Sequence, residues 1–232
     1  MKIIAKIFTP YKEKFGIPRQ AGIANSIVSK IVFEPEYRRK EALVGLSGYS
    51  HIWAIWKFSE SEREEFSPSV RPPRLGGNKK MGVFATRSPF RPNPIGLSSL
   101  ELIEIVDTEN EGTVLYVKGA DMLDGTPIYD IKPYLPYTDS HPDARAGFAE
   151  EVFEYKIDVD FPEGLLRKID EKYRNSITKI LSEDPRPSYK KTCEKEYGML
   201  FADYEIFFIV KEKKLIVTKV EVNSVLSQKS KL

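Results

Sequence analysis

The sequence predicts a mainly β fold, with a closed or strongly curved β-structure over residues 1–140 and a smaller α+β domain over residues 150–232. Short β-rich segments separated by long loops precede residue 140, and they do not alternate with helices as a doubly wound parallel sheet requires. Residues 138–150 are polar and rich in turn formers, which marks the boundary. An amphipathic helix pattern follows only beyond that boundary.

In the first domain, strands are predicted where β-branched and aromatic residues cluster. Ile3, Ala5 and Ile7 lie on one face of the first strand. The aromatic segment 49–58 predicts a buried strand, and residues 36–46 favour a short helix closed by Gly48. The remaining strands are predicted over 26–33, 97–106 and 112–119, with a turn at 109–112 between the last two.

The second domain is predicted to contain a strand, a helix and a hairpin. Residues 150–161 indicate the strand, and residues 162–184 have the apolar spacing of an amphipathic helix. Two further strands, over 204–210 and 214–222, form the hairpin. The apolar face of the helix comprises Leu165, Leu166, Ile169, Tyr173, Ile177 and Ile180.

Composition argues against several classes of protein. The chain has 232 residues with 36 basic and 34 acidic side chains, and a net charge of +2 excludes a strongly basic protein that coats nucleic acid. One cysteine and two histidines exclude a disulfide framework and argue against a metal site. No apolar run approaches the ~20 residues that span a bilayer, and lysines interrupt the N-terminal segment too early for a signal peptide. We therefore expect a cytoplasmic protein with no metal and no membrane attachment.

The most distinctive segment lies between Glu65 and Glu101, where the sequence contains no acidic residue. Its prolines stiffen the backbone, and its glycines allow a ligand to approach closely. This combination indicates a site for an anion, either phosphate or carboxylate. The alternative is a solvated basic loop whose charges pair with acidic residues elsewhere. The basic residues of the segment are Arg71, Arg74, Lys79, Lys80, Arg87 and Arg91.

Two further segments carry candidate binding groups. Residues 120–139 combine four aspartates and a lysine with three tyrosines, and the segment contains the turn formers Asp124 and Gly125. This segment is either a hairpin corner or a turn that offers Asp124 and backbone groups to a ribose or adenine. A loop beside the second strand carries Arg19 and Gln20, and a glutamine can bind an adenine edge or a carboxylate.

The motifs of several large enzyme classes are absent. The sequence has no GxGxxG after a strand, no GxxxxGK[ST], and no HExxH, CxxC or GxSxG. A Rossmann nucleotide site, a P-loop and a nucleophile elbow are therefore not indicated. A small-molecule hydrolase built on His51 or Cys193 is an alternative, although His51 lies in an apolar strand and is equally well explained as a buried histidine.

Several long segments resemble the TrmO/TsaA-like family of S-adenosylmethionine-dependent tRNA methyltransferases. They are TPYKEKFGIPRQ, GYSHIWAIWKF, VRPPRLGGNKKMGVFATRSPFRPNPIGLSSLEL and LDGTPIYDIKPYLPYTDS, and DPRPSY and YGMLFADYEIFF resemble the additional C-terminal domain of longer members. The resemblance implies a single-sheeted TsaA-like β-barrel, usually a homodimer, that binds S-adenosylmethionine without a Rossmann fold. It also implies N6-methylation of threonylcarbamoyladenosine beside the anticodon of tRNA.

The resemblance also implies which residues bind the cofactor. At Ser59 and Glu60 the family carries a His–Gln-like pair, so this sequence departs from the pattern there. The positions that match cofactor-binding motifs are Pro18, Arg19, Gln20, Ser59, Glu60, Arg87, Leu97, Asp124, Gly125, Thr126 and Pro127.

The implied chemistry adds candidates for catalysis and for substrate binding. The acceptor nitrogen lies between a carbonyl and the purine, so it is a poor nucleophile until a base removes its proton or a cation stabilises the developing charge. Candidate bases are Asp130, Tyr134 and Asp139. The tRNA phosphates and the threonyl carboxylate require cations, for which the candidates are Arg71, Arg74, Lys79, Lys80, Arg91 and Lys132. A non-enzymatic tRNA-binding or regulatory protein that uses the basic residues 71–91 is the alternative function.

Overall fold

A computed structural model describes residues 1–61, 65–75, 79–151, 155–186 and 195–223 of the chain. Six of its strands close into a barrel in the order β1–β2–β7–β6–β3–β8, and all neighbouring pairs are antiparallel. The mainly β fold class is therefore confirmed. Within the described part of the first 140 residues the strands are β1 (Ala5–Phe8), β2 (Val28–Phe33), β3 (His51–Lys57), β4 (Ser69–Val70), β5 (Met81–Gly82), β6 (Ile95–Thr108), β7 (Gly112–Lys118) and β8 (Thr126–Pro133).

The barrel interior is filled by alternate residues of each strand, because successive side chains of a strand point to opposite faces. Ala5 and Ile7 of β1 are buried, as predicted, whereas Ile3 precedes the strand and is exposed. Ile52 and Ala54 of β3 are buried in the same cluster as the β1 pair. The predicted burial of the 49–58 strand thus holds for one face, and His51, at its exposed end, is not a buried histidine.

The barrel wall is tightly packed where Trp56 of β3 crosses Gly96 of β6. The two residues are register partners, and a Cβ added to Gly96 would lie 2.2 Å from a ring atom of Trp56. The Trp56 ring is buried, and its Nε1 donates a hydrogen bond to Ser98 Oγ at 3.0 Å. Because the ring is held in place, only glycine fits at position 96.

We therefore expect Gly96→Ala to lower the free energy of unfolding by about 1–3 kcal/mol, which is typical of overpacking a core. Gly48→Ala is the matched control, because no heavy atom lies within 4 Å of a Cβ added at Gly48. Urea denaturation of both variants measures the difference. Equal stability of the two variants would show that the Trp56 ring moves aside.

The remainder of the described chain forms a four-stranded sheet with helices between its strands. The sheet order is β10–β11–β12–β9, with β9 parallel to β12. Ile177 and Ile180 of the longest helix share a core with Phe208 and Leu215 of the sheet. No described helix is long and apolar enough to span a membrane. The elements are α1 (Pro136–Asp139), α2 (Phe148–Glu151), β9 (Asp158–Asp160), α3 (Glu163–Leu166), α4 (Glu171–Ser182), β10 (Tyr197–Phe201), β11 (Tyr204–Lys211) and β12 (Lys214–Val222).

The loop between β1 and β2 packs on this second sheet although it begins and ends in the barrel. Tyr11 forms an isolated β-bridge with Phe201, and Tyr11, Ala24 and Ile27 belong to the hydrophobic core of the second sheet. Backbone hydrogen bonding continues to Ala202, whose N–H donates to the carbonyl of Pro10 at 2.7 Å. Residues 9–27 therefore connect the two cores.

Two helices that were predicted to be continuous are divided into shorter elements in the structure. The helix over 36–46 is replaced by separate 3₁₀ turns, because Arg39 has extended backbone geometry between the first two turns and Gly45 has a positive φ of 83° before the third. The helix over 162–184 is interrupted between α3 and α4, where Asp170 leaves helical geometry, with a ψ of 136°, and occupies the N-cap position of α4 without a side-chain capping bond. Hydrophobic periodicity indicated the buried face correctly but could not detect the interruption.

The predicted strands differ from the strands of the structure mainly in their bounds. Of the strand predicted over 150–161, residues 150–151 belong to α2 and residues 158–160 form β9, whereas residues 152–154 lie outside the described part of the chain. The β6–β7 hairpin and the β11–β12 hairpin are confirmed. Strands β8 and β10 were not predicted, since prolines interrupt the pattern of β8 and β10 is only 5 residues long.

Candidate functional site

One end of the barrel brings together segments that are distant in sequence. Trp56 of β3 pairs with both Gly96 of β6 and Ile128 of β8, so the end of β3 lies beside the starts of β6 and β8. The amide of Gly125 donates to the carbonyl of Ile7 at 2.9 Å, which adds the end of β1. We call this end of the barrel the rim. Three groups of predicted cofactor residues lie in segments that meet at the rim, namely residues 18–20, 59–60 and 124–127.

Arg87 joins the rim through Gln20. Its guanidinium donates to Gln20 Oε1 at 2.7 Å, and both side chains are exposed. The amide of Gly22 donates to the carbonyl of Gly119 at 3.0 Å, which fixes the loop that carries Gln20. Because glutamine is neutral, this hydrogen bond does not pair the charge of Arg87 with a carboxylate.

A carboxylate that sequence reasoning did not assign lies beneath this loop. Ser98 Oγ donates to Asp121 Oδ1 at 2.5 Å and accepts from Trp56 Nε1. Burial raises the pKa of Asp121, and this effect outweighs the opposing hydrogen bond from Ser98 and the charge of Arg87. Burial also raises the pKa of Tyr11, with a contribution from the charge of Asp121. The aspartate was visible in the sequence, but nothing in its spacing indicated a buried hydrogen-bonded carboxylate.

The Asp124 side chain is used within the protein. Its Oδ1 accepts from the amide of Thr9 at 2.9 Å, and its Oδ2 accepts from Lys12 Nζ at 2.8 Å. Thr126 Oγ1 donates to the carbonyl of Leu123 at 2.7 Å, which closes the turn. Gly125 has a φ of 75° and open space around it. The hairpin-corner interpretation therefore describes the Asp124 side chain and the amides of the turn, which are bonded within the protein, while the Cα of Gly125 faces open space.

Arg19 points toward the second sheet. One of its guanidinium nitrogens donates to the carbonyl of Asp184 at 2.6 Å. Arg186 donates twice to the Asp184 carboxylate, at 2.8 and 2.9 Å, and Tyr155 Oη donates to it at 3.3 Å. Burial raises the pKa of Asp184, but the bonds and charge of Arg186 outweigh it, so this pKa lies below its ordinary value. The DPR part of the C-terminal motif thus positions the predicted cofactor loop.

The remaining predicted cofactor residues differ in exposure. Ser59 and Glu60 are exposed, and Lys14 Nζ donates to the Glu60 carbonyl at 2.5 Å and lies 3.5 Å from its carboxylate. Pro18 is buried. Leu97 is 57% exposed and lies on the outer face of β6.

The candidate bases do not lie at the rim. Tyr134 and Asp139 follow the far end of β8, about 23 Å along this 8-residue strand from Thr126. Trp53 Nε1 and the amide of Leu135 both donate to Asp139 Oδ2, at 2.8 and 2.9 Å. Hydrogen bonding from Leu135, followed by that from Trp53, holds the pKa of Asp139 below its ordinary value.

The third candidate base lies on the outer barrel wall. Asp130 accepts from the amide of Ile131 at 2.9 Å and lies 3.4 Å from Lys132 Nζ. It lines a shallow depression together with Ile55 and Tyr129. The structure therefore does not place the three candidate bases together.

The basic segment forms a two-stranded ribbon from β4 and β5. Val70 pairs with Met81, which places Arg71 opposite Lys80 at the tip, and both of these side chains and that of Lys79 are exposed. The side chain of Arg74 and residues 76–78 lie outside the described part of the chain, as does Cys193.

The other predicted substrate cations are already engaged. The Arg91 guanidinium donates to the carbonyls of Thr86, at 2.7 Å, and Val83, at 3.3 Å, so it braces its own loop. Lys132 belongs to the ion pair on the outer wall. Among the described residues, the exposed cations at the ribbon tip fit a phosphate or carboxylate ligand better than Arg91 does.

We expect neutralisation of Lys79 and Lys80 together, as Lys79→Gln/Lys80→Gln, to lower the salt slope of tRNA affinity by somewhat under ~2. Each lost phosphate contact contributes about 0.7–0.9 to that slope. Binding of tRNA measured at several salt concentrations gives the slope, and cofactor affinity should stay unchanged. A slope equal to that of the wild type would identify the ribbon as a solvated basic loop.

Comparisons with known proteins agree with this architecture. Residues 6–140 match the family described as the tRNA-methyltransferase O N-terminal domain, and residues 154–223 match the TrmO C-terminal domain. The chain is 41% identical over 211 residues to a tRNA (adenine(37)-N6)-methyltransferase of Escherichia coli strain K12, which covers 88% of this chain and 89% of the relative. It is 38% identical, with the same coverage, to a putative S-adenosylmethionine-dependent methyltransferase, RcsF, of Pseudomonas aeruginosa strain PAO1. The crystal structure of TrmO from Pseudomonas aeruginosa superposes with a TM-score of 0.73 at 31% identity, over 95% of this chain and 96% of that chain.

Proposed function

Because this chain belongs to the tRNA-methyltransferase O family, we propose that it transfers the methyl group of S-adenosylmethionine to N6 of threonylcarbamoyladenosine beside the anticodon of tRNA. The observation that carries the proposal is the convergence of the family's motif segments at one rim of the barrel, with exposed cations on the adjoining ribbon. The family resemblance also supports a homodimer that works in the cytoplasm, with the barrel and the C-terminal sheet as its two domains.

The residues at the rim fit this cofactor. Arg87 is exposed and bonded to a neutral partner, so its charge can hold the methionine carboxylate. Leu97 offers exposed apolar surface, and Gly125 leaves space for a ligand to approach the backbone. S-adenosylmethionine supplies an activated methyl group, and the protein must align the acceptor and exclude water.

The acceptor sets the requirements on the remaining residues. Its N6 is flanked by a carbonyl and the purine, so it reacts readily only after losing a proton or when a cation stabilises the negative charge. Because the predicted bases Asp130, Tyr134 and Asp139 do not lie at the rim, we propose that a cation at the rim, rather than one of these groups, stabilises the negative charge. Arg71 and Lys80 at the ribbon tip are proposed to bind the threonyl carboxylate, since both are exposed cations on the segment next to the rim.

The test is methyl transfer itself. Incubation with methyl-labelled S-adenosylmethionine and tRNA that carries threonylcarbamoyladenosine should move the label to that nucleoside, as identified by mass spectrometry. Calorimetric titration gives the cofactor Kd separately. Arg87→Ala should weaken cofactor binding about tenfold to 150-fold, the loss of a hydrogen bond to a charged group. Arg167→Ala, at an exposed ion pair of the C-terminal sheet domain, is the control.

Two outcomes would contradict the proposal. Binding of tRNA without affinity for S-adenosylmethionine would identify a non-enzymatic tRNA-binding protein. An unchanged cofactor Kd in a folded Arg87→Ala variant would remove Arg87 from the cofactor site.

A further inference from the structure

Two phenylalanine rings lie side by side on the surface of the segment between β3 and β6. Phe66 is 56% exposed and Phe84 is 72% exposed. Their ring centroids are 6.3 Å apart, and the planes are inclined by 26°, so the rings stack against each other while much of each ring stays exposed. Neither ring contributes buried area to either hydrophobic core. Two large exposed rings in contact with each other form an apolar patch, and such patches are found where a protein contacts another molecule.

The two rings are held in place by the segment itself. The amide of Val83 donates to the carbonyl of Pro68 at 3.0 Å, which ties the chain near Phe84 to the chain near Phe66. Val83 is 1% exposed, so Phe84 follows an anchored residue. The Arg91 guanidinium is bonded to this loop and lies 5.8 Å from the centroid of Phe84. The aromatic surface is therefore presented in a fixed position, with a cation beside it.

The surroundings of the rings are basic. Phe66 and Phe84 flank the β4–β5 ribbon, whose tip carries exposed Arg71, Lys79 and Lys80. Exposed aromatic faces among cations match an unpaired nucleotide, because the ring stacks on the base while the cations bind phosphate. A second copy of this chain placed on the same patch would bring like charges together, which is unfavourable.

We propose that Phe66 and Phe84 form a stacking platform for an unpaired base of RNA, with the ribbon cations binding the flanking phosphates. The inference rests on the proposed function, in which the acceptor adenosine lies in a loop of tRNA that contains unpaired bases. It adds a contact to a neighbouring base, separate from the contacts of the cofactor and of the threonyl carboxylate.

The test compares two RNA probes of equal length, an anticodon stem-loop and a blunt duplex. The variant Phe66→Leu/Phe84→Leu keeps apolar bulk but removes both aromatic faces. Its affinity for the stem-loop should fall roughly fivefold to 150-fold, the range found when a stacking aromatic side chain is removed. Its affinity for the duplex and for S-adenosylmethionine should stay unchanged.

A matched control and a spectroscopic readout sharpen the test. Phe8→Leu also removes an exposed ring beside a cation, because Phe8 is 42% exposed with Lys30 Nζ at 5.7 Å, but it lies on β1 outside the basic segment. It should bind the stem-loop as the wild type does. A Phe84→Trp variant should show fluorescence quenching with the stem-loop, in excess of any wild-type change, and no such excess with the duplex.

Three results would overturn the platform. The first is that the double variant binds the stem-loop as tightly as the wild type does. The second is that it loses as much affinity for the duplex as for the stem-loop. The third is that its oligomeric state, measured by ultracentrifugation, differs from that of the wild type, which would identify a second copy of the chain as the occupant. Failure of the proposed function is distinguishable, because it would appear as absence of methyl transfer by the wild-type protein whatever the binding data show.

Discussion

Two otherwise identical tRNAs, one with and one without the threonylcarbamoyl group, are expected to differ in kcat/KM by up to ~10⁴-fold. The amine of plain adenosine is delocalised into the ring, and plain adenosine lacks the threonyl carboxylate. Once a tRNA covers the ribbon tip, Arg71 and Lys80 would be left without that carboxylate. Unmatched polar groups in a covered site are the physical source of large discrimination.

The measurement uses labelled S-adenosylmethionine, both tRNAs and mass spectrometry of the nucleosides. A methyl gain should appear only on the hypermodified adenosine, and Lys79→Gln/Lys80→Gln should narrow the difference between the tRNAs. Equal methylation of both tRNAs would refute the carboxylate clamp. Methylation of neither, despite measurable cofactor binding, would indicate a different acceptor.

The second large effect is expected at Arg186, in the C-terminal half of the chain. Arg186 and Asp184 form an ion pair in which the side chains are 10% and 9% exposed. Removing one partner of such a pair leaves an uncompensated buried charge, so Arg186→Ala should lower the free energy of unfolding by about 3–5 kcal/mol. Arg167→Ala breaks an exposed pair with Glu163 and should cost under about 0.5 kcal/mol.

The pH dependence separates the ion pair from simple loss of packing. Because the native pKa of Asp184 is lowered, the stabilisation from its charged form is fully present above the unfolded pKa of about 3.9 and is lost as pH falls through the native value. The stability difference between wild type and Arg186→Ala should therefore shrink below about pH 4. Urea denaturation across that range measures it, and a pH-independent difference would contradict the assignment.

The sequence was sufficient for the sheet elements that have strong period-two patterns. Strand β3 and the β6–β7 and β11–β12 hairpins follow from alternation and turn residues alone. The interruption between α3 and α4 was missed because the apolar spacing continues through it, and β8 was missed because proline is rare inside strands. Tertiary contacts override both local signals, since the amide of Asp170 donates to Tyr204 of the second sheet and β8 pairs with β1 and β3 of the barrel.

The candidate site was predictable only in part, since it depends on contacts between distant segments. Family motifs identified the segments that meet at the rim, but no pattern in the sequence places Asp121 beneath Ser98 or directs Arg19 to Asp184. The exposure of single side chains could not be predicted either, because a phenylalanine such as Phe84 is expected in a core but is exposed in the structure. The spacing of residues predicts which face of a single helix or strand is buried. It does not predict these contacts, which join residues separated by up to 165 positions.

The loop between β1 and β2 has a consequence for cooperativity. Because Tyr11, Ala24 and Ile27 belong to the second core while the ends of their loop are strands of the barrel, neither core can melt without exposing apolar surface of the other. The two halves of the chain therefore constitute one thermodynamic unit rather than two independent ones. On heating, they should lose structure in a single transition in which the calorimetric enthalpy equals the van't Hoff enthalpy.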